Sequence, residues 1–252
     1  MRIDVYLTEK GYCESRNKAA RLISEGKILF DGKTVSKASF DVTEGEHTVV
    51  VTENERFVGR GGLKLEAAIE RFAVDVSGKR CIDVGASTGG FTDCLLQRGA
   101  KMVFAVDLND DLLHVSLKNN AKVVPVVKNA KFLTLNDFSK KLDLIVADLS
   151  FISVNQVIDV FNNLLQNDSY LIILIKPQFE TGERKKFKNG IIKDKKLQNV
   201  ICKGVYHKAV STGFTPIGIT TAPIQEGKNV EFLMLLKKGC GNKFDISQID
   251  TL

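Results

Sequence analysis

The chain has 252 residues, 44% of them hydrophobic and 26% charged, with only four prolines, a composition that supplies a buried core and argues against a repeat array or a generally disordered chain. No uncharged apolar run approaches the roughly 20 residues of a membrane-spanning helix, and Met1-Arg2-Ile3-Asp4 leads into charged sequence, so neither a membrane span nor a signal peptide is expected. The formal charge of +6 points to a polyanionic partner, while five cysteines without a CxxC pair and three histidines show no zinc-site spacing, which sets the expectations of a reducing cytoplasm and no metal.

Asp4 to Lys10 reads as a short helix, and Ser15 caps a second in which Ala19, Ala20, Leu22 and Ile23 form an apolar stripe that Gly26 ends. Lys27 to Phe30, the turn Asp31-Gly32, and Lys33 to Val35 read as a tight hairpin, followed by a strand at His47 to Val51. This segment has segregated signs, residues 1–40 summing to +3 and residues 41–60 to −3. Ser15-Arg16-x-x-Ala19 and Leu22-Ile23-x-x-Gly26-x-Ile28 give the module a pattern that resembles the αL RNA-binding motif of the fourth protein of the small ribosomal subunit. That resemblance implies an RNA surface on the second helix and hairpin, with Arg16, Lys18, Arg21 and Lys27 as its bases, and Arg60 in the following hinge joins them.

Gly59-Arg60-Gly61-Gly62 lets the backbone turn sharply, which puts a domain boundary near residue 58. The expected division is a small α+β domain over 1–57, an α/β domain over 58–240 and a C-terminal tail over 241–252. Beyond the hinge, Leu63 to Phe72 reads as an amphipathic helix. Strands at Arg80 to Val84, Met102 to Val106, Leu142 to Ala147, Tyr170 to Ile175 and Glu231 to Leu236 alternate with helical stretches, which predicts a mostly parallel, Rossmann-like sheet with helices on both faces.

The first strand of that sheet runs into Asp83-Val84-Gly85-Ala86-Ser87-Thr88-Gly89-Gly90-Phe91. The spacing G-x-x-x-G-G departs from the dinucleotide pattern G-x-G-x-x-G, and Asp83 and Asp93 disfavour a pyrophosphate there. An acidic surround suits a cationic ligand such as S-adenosylmethionine, and Asp107, after the second strand, is placed to accept hydrogen bonds from ribose hydroxyls. Asp83, Gly85, Ala86, Ser87, Gly89, Gly90, Phe91, Asp107 and Asp148 are the candidate cofactor residues. Asp148 and Lys176 each end a strand, where ligands of open α/β sheets bind.

The blocks Gly59 to Leu65 (GRGGLKL), Asp83 to Arg98 (DVGASTGGFTDCLLQR), Asp148 to Ser153 (DLSFIS), Ile175 to Glu180 (IKPQFE), and Ala222-Pro223-Ile224 leading to Glu231-Phe232-Leu233 give nearly the whole chain a pattern that resembles the TlyA family of rRNA methyltransferases, whose catalytic domain is FtsJ-like. The resemblance implies S-adenosylmethionine-dependent 2′-O-methylation of cytidine ribose in large-subunit, and in longer members also small-subunit, ribosomal RNA. It maps a catalytic tetrad onto Lys64, Asp148, Lys176 and Glu231. In that scheme Lys176 accepts the hydroxyl proton, Lys64 supplies a neighbouring cation, Asp148 orients Lys176, and Glu231 holds the second lysine or the ribose. Asp107-Leu108-Asn109-Asp110 and Glu226 depart from the family's usual glycines at these places.

Residues 183–203 hold eight bases against two acids, a net charge equal to that of the whole chain. Arg184, Lys185, Lys186 and Lys188 therefore form a candidate RNA-backbone flap beside Lys176. Two other readings are weaker. A base N-methyltransferase would carry an [N/D]-P-P-[Y/F] turn where Asp148-Leu149-Ser150-Phe151 stands, and the haemolysin label that the family often bears would require membrane-damaging segments that the sequence does not offer.

Overall fold

Ser15 begins α2 (Arg16–Ser24) by accepting a hydrogen bond from the Lys18 amide at 3.2 Å, and α2 packs on α1 (Ile3–Glu9) through Ile3, Leu7, Leu22 and Ile23, all buried. In this computed structural model, residues 1–52, 56–138, 142–182, 187–223 and 227–252 are described, and the chain divides into two compact units, Met1–Glu55 and Arg56–Leu252. In the first unit β1 (Ile28–Phe30) pairs antiparallel with β2 (Lys33–Thr34) and, on its other side, with β3 (Val49–Val51). The two-residue turn has φ of 49° at Asp31 and 75° at Gly32. That doubly left-handed geometry matches the right-handed twist of the strands, and an Asp-Gly pair reaches it at low steric cost.

The second unit begins with α3 (Gly61–Phe72), β4 (Arg80–Val84), α4 (Gly90–Gln97), β5 (Met102–Asp107), α5 (Val115–Lys118) and β6 (Val123–Val127). It continues through β7 (Leu142–Ala147), α6 (Ile158–Leu164), β8 (Leu165–Ile175), α7 (Pro177–Glu180), α8 (Lys195–Ser211), β9 (Phe214–Thr221) and β10 (Phe232–Lys238). The seven strands lie in the order β6-β5-β4-β7-β8-β10-β9. All are parallel except β10, which runs antiparallel to both its neighbours. Strand side chains alternate between two apolar faces. Ile145 and Ile173 share a cluster with Phe161 of α6 and Val205 of α8, while Val146 and Ile172 join Leu65 of α3 and Leu95 of α4. The order reverses between β4 and β7, which opens a crevice at the carboxyl ends of the central strands.

Two strands that the sequence pattern did not show are the outer ones. Both β6 and β9 carry a proline, Pro125 and Pro216, a residue confined in sheets mostly to edges. Gly218 of β9 lies under Phe72, where an added Cβ would stand 2.8 Å from the ring. Residues 241–252, set apart from the sequence as a tail, include a 3-10 turn (Ile246–Thr251), and they bring Phe244 and Ile249 into the core of this unit, Phe244 packing edge-on against Tyr206 of α8.

Candidate active site

Gly85 follows β4 with φ +85°, and a Cβ at that position would lie 2.4 Å from the Asp148 carbonyl oxygen. The turn closes against β5, the amides of Gly85 and Ala86 both donating to Val106 O at 2.8 and 3.1 Å. Gly89, at φ +95°, caps α4, so Gly90 and Phe91 open that helix. Asp107, at the end of β5, accepts hydrogen bonds from the amides of Ser87 (2.8 Å) and Leu108 (2.7 Å). Ser87 and Thr88 are exposed above the strand ends.

Beneath the turn, Asp83 is fully buried. One of its oxygens accepts the Thr92 hydroxyl at 2.7 Å, and the other, Oδ1, has no hydrogen-bond partner among the described residues. Burial pushes this carboxyl up to about 7. Of the two acids expected to surround the turn, Asp93 is instead engaged by the Val58 amide (2.8 Å) and Gln97 (3.0 Å).

The four residues of the expected tetrad all lie in the second unit and resolve into two ion pairs. Ile175 of β8 pairs with Phe232 of β10, so Lys176 and Glu231 occupy the next facing positions at the carboxyl end of β8. Lys64, in the first turn of α3, places Nζ 2.6 Å from Glu231 Oε2, both side chains being largely buried. Asp148 follows β7, its amide bonded to Val84 O at 3.0 Å. Lys176 Nζ forms an ion pair with Asp148 Oδ1 at 2.5 Å and donates to Ser150 Oγ at 3.0 Å. The ammonium also lies 5.7 Å from the centre of the Phe179 ring. At 8% exposure, Lys176 is buried, with its polar end held by these partners.

Ser150 and Glu180 lie within the blocks DLSFIS and IKPQFE, where no local signal marks a role for either. Glu180 accepts the Ser153 hydroxyl (2.5 Å) and the Val154 amide (2.9 Å), tying the loop after β7 to α7, and burial holds its carboxyl above the ordinary range. Beside the Lys64–Glu231 pair opens a cleft of about 460 Å³, lined also by Gln178, Asn189, Gly190 and Pro223.

The candidate RNA-binding bases are more scattered. In the first unit Arg16 binds the buried Asp4 through Nε (3.2 Å) and a terminal nitrogen (3.0 Å). Lys18 pairs with Glu14, and Arg21 and Lys27 pair with Glu25. At about 100° per residue, Lys18 and Arg21 share one side of α2 and Arg16 points to the other. Arg60 is exposed at the start of α3. Arg184, Lys185 and Lys186 lie outside the described residues, and Lys188 begins a 3-10 turn over Lys188–Gly190. Among the described residues there is no cluster of His, Cys, Asp and Glu able to hold a metal ion, and no helix long and apolar enough to cross a membrane.

A glycine turn after the first strand, an acid at the end of the second and one antiparallel strand in this order define the Rossmann-like methyltransferase fold. The chain belongs to the FtsJ-like methyltransferase family, whose pattern matches residues 57–238, and an S4 domain pattern matches residues 1–47. It is 38% identical to Hemolysin A of Brachyspira hyodysenteriae over 236 residues, 92% of this chain and 98% of that protein. It is equally 38% identical to the 16S/23S rRNA (cytidine-2′-O)-methyltransferase TlyA of Mycobacterium tuberculosis over 239 residues, 94% of this chain and 89% of that one. A solved structure from Streptococcus thermophilus, carrying a provisional hemolysin name, superposes with a TM-score of 0.76 at 32% identity and covers all of this chain and 96% of its own.

Proposed function

We propose that this protein methylates the 2′-hydroxyl of cytidine ribose in ribosomal RNA, using S-adenosylmethionine, with the second unit performing the transfer and the first supplying RNA affinity. The observation that carries this reading is the buried Lys176, held by Asp148 and Ser150 at the carboxyl end of the sheet, with the Lys64–Glu231 pair beside it. The mycobacterial relative, named for both 16S and 23S ribosomal RNA, supports the substrate class.

The residues present fit the cofactor. Asp107 offers a carboxylate to ribose hydroxyls, and the donor-less Asp83 Oδ1 lies buried at the root of the turn, where an ammonium group would satisfy it. S-adenosylmethionine supplies a methyl group already activated on its sulfonium. The protein's remaining work is positioning and proton transfer. With that cofactor bound, a neutral Lys176 would take the 2′-hydroxyl proton at Nζ as the methyl group passes from sulfur to the 2′-oxygen, leaving a neutral thioether, and Asp148 would stabilise the resulting ammonium. Lys64 and Glu231, already neutralising one another, hold the ribose in place without adding net charge. In this reading the enzyme acts on ribosomal RNA in the cytoplasm.

Alkali distinguishes the reaction products. A methylated 2′-oxygen cannot attack the adjacent phosphate, so RNA methylated with labelled cofactor should yield the label in an alkali-resistant dinucleotide. Label recovered wholly in mononucleotides would place the methyl group on a base and overturn the proposal.

A further inference from the structure

We infer that Gln178 reads the target base, accepting a hydrogen bond from the exocyclic amino group of cytosine and thereby rejecting uracil. The inference rests on the proposed 2′-O-methylation of cytidine. The cleft beside Lys64 and Glu231, about 460 Å³, falls within the roughly 300–1,000 Å³ of small-ligand pockets. Gln178 enters its wall from α7, two residues after Lys176, and the Lys64–Glu231 pair proposed to hold the ribose lines the same cleft.

The polar groups lining that cleft are largely committed. Lys64 and Glu231 bind each other at 2.6 Å. Asn229 uses both ends of its amide on backbone, Oδ1 accepting from Ile192 N at 2.8 Å and Nδ2 donating to Gly190 O at 2.9 Å. Asn189 and Lys228 are exposed at the rim. Gln178 differs, because its Oε1 is buried and has no hydrogen-bond partner among the described residues. A buried carbonyl without a donor gains free energy from any N–H group that reaches it. Cytosine presents an amino group at its 4-position to Oε1, whereas uracil presents a carbonyl, which Gln178 can meet only by turning its amide over to put Nε2 in place of the buried oxygen. A site built around a buried acceptor discriminates strongly against a partner lacking the donor.

The test first maps the nucleotide that the parent enzyme protects from alkali in ribosomal RNA, then compares transcripts carrying C or U at that position. Gln178→Met removes the acceptor while conserving bulk, and should compress the C-over-U ratio of kcat/KM by about 10- to 100-fold, with cofactor affinity unchanged. Gln178→Glu retains an acceptor and should keep C preferred. A C-over-U ratio unaltered by Gln178→Met overturns the inference while leaving the functional proposal standing. If the parent protects no nucleotide, the functional proposal fails and this inference falls with it. Because the readout is a ratio between two substrates, a general loss of folding or rate does not imitate it.

Discussion

Replacing Asp83 with asparagine separates the electrostatic cost of the glycine turn from its geometry. The carboxyl is fully buried, and burial raises it from 3.8 to about 7. The folded protein therefore keeps a proton that the unfolded chain releases between those values, so the contribution favours folding at low pH and is lost as pH rises through about 7. Three units correspond to roughly 4 kcal/mol, at 1.36 kcal/mol per unit, carried as a penalty by the parent above neutrality. The asparagine side chain cannot ionise, and its amide oxygen can still accept the Thr92 hydroxyl. Urea unfolding of the cofactor-free protein between pH 4 and 8 should show the Asp83→Asn variant gaining on the parent by up to about 4 kcal/mol across that range. A stability difference that stays constant over the whole interval would refute the reasoning, since the native carboxyl would then titrate as it does in the unfolded chain.

Gly85→Ala forces a side chain into a left-handed backbone 2.4 Å from Asp148 O and should cost on the order of 3 kcal/mol; an unchanged Tm would show that the turn yields. Lys176→Arg should abolish methyl transfer while calorimetry finds cofactor affinity retained, because guanidinium does not act as a base; substantial turnover would leave Lys176 only an electrostatic role. A protein beginning at Arg56 should bind cofactor and lose most RNA methylation, and full activity with unchanged site selection would make the first unit dispensable. Neutralising Arg184, Lys185, Lys186 and Lys188 together should lower the slope of log RNA affinity against log salt by about two to four; an unaltered slope would move the RNA track elsewhere.

What could be read from the sequence was whatever local chemistry decides. Asp31-Gly32 announces its own turn, Ser15 its own cap, and the central strands their burial on both faces. Lys64, Asp148, Lys176 and Glu231 were legible through a family pattern, and the sheet register explains why residues so distant meet at one end. The pattern already set Asp148 beside Lys176 but left Glu231 between the second lysine and the ribose, a choice that depends on where Lys64 lands once α3 packs on the sheet. Similarly, Arg16 reads as a free base in the sequence, yet its guanidinium binds Asp4 across a helix pair. Edge strands β6 and β9 were hidden by Pro125 and Pro216, whose missing N–H is harmless only at an edge. Gln178 lies in the block IKPQFE, but nothing local marks an amide oxygen as lacking a donor.

The antiparallel β10 also fixes an order of events during synthesis. It is made after β9 but inserts between β8 and β9, so β9 has no strand to pair with until β10 emerges. The nascent chain meanwhile carries β8 with one unpaired edge, a template for association with other chains. Lys64 waits across 167 residues for Glu231, a separation that slows closure of the sheet. Sheet completion and assembly of the second ion pair are thus one late event, so a chain interrupted shortly before Glu231 retains the glycine turn and Asp107 but has neither a closed sheet nor the full set of four.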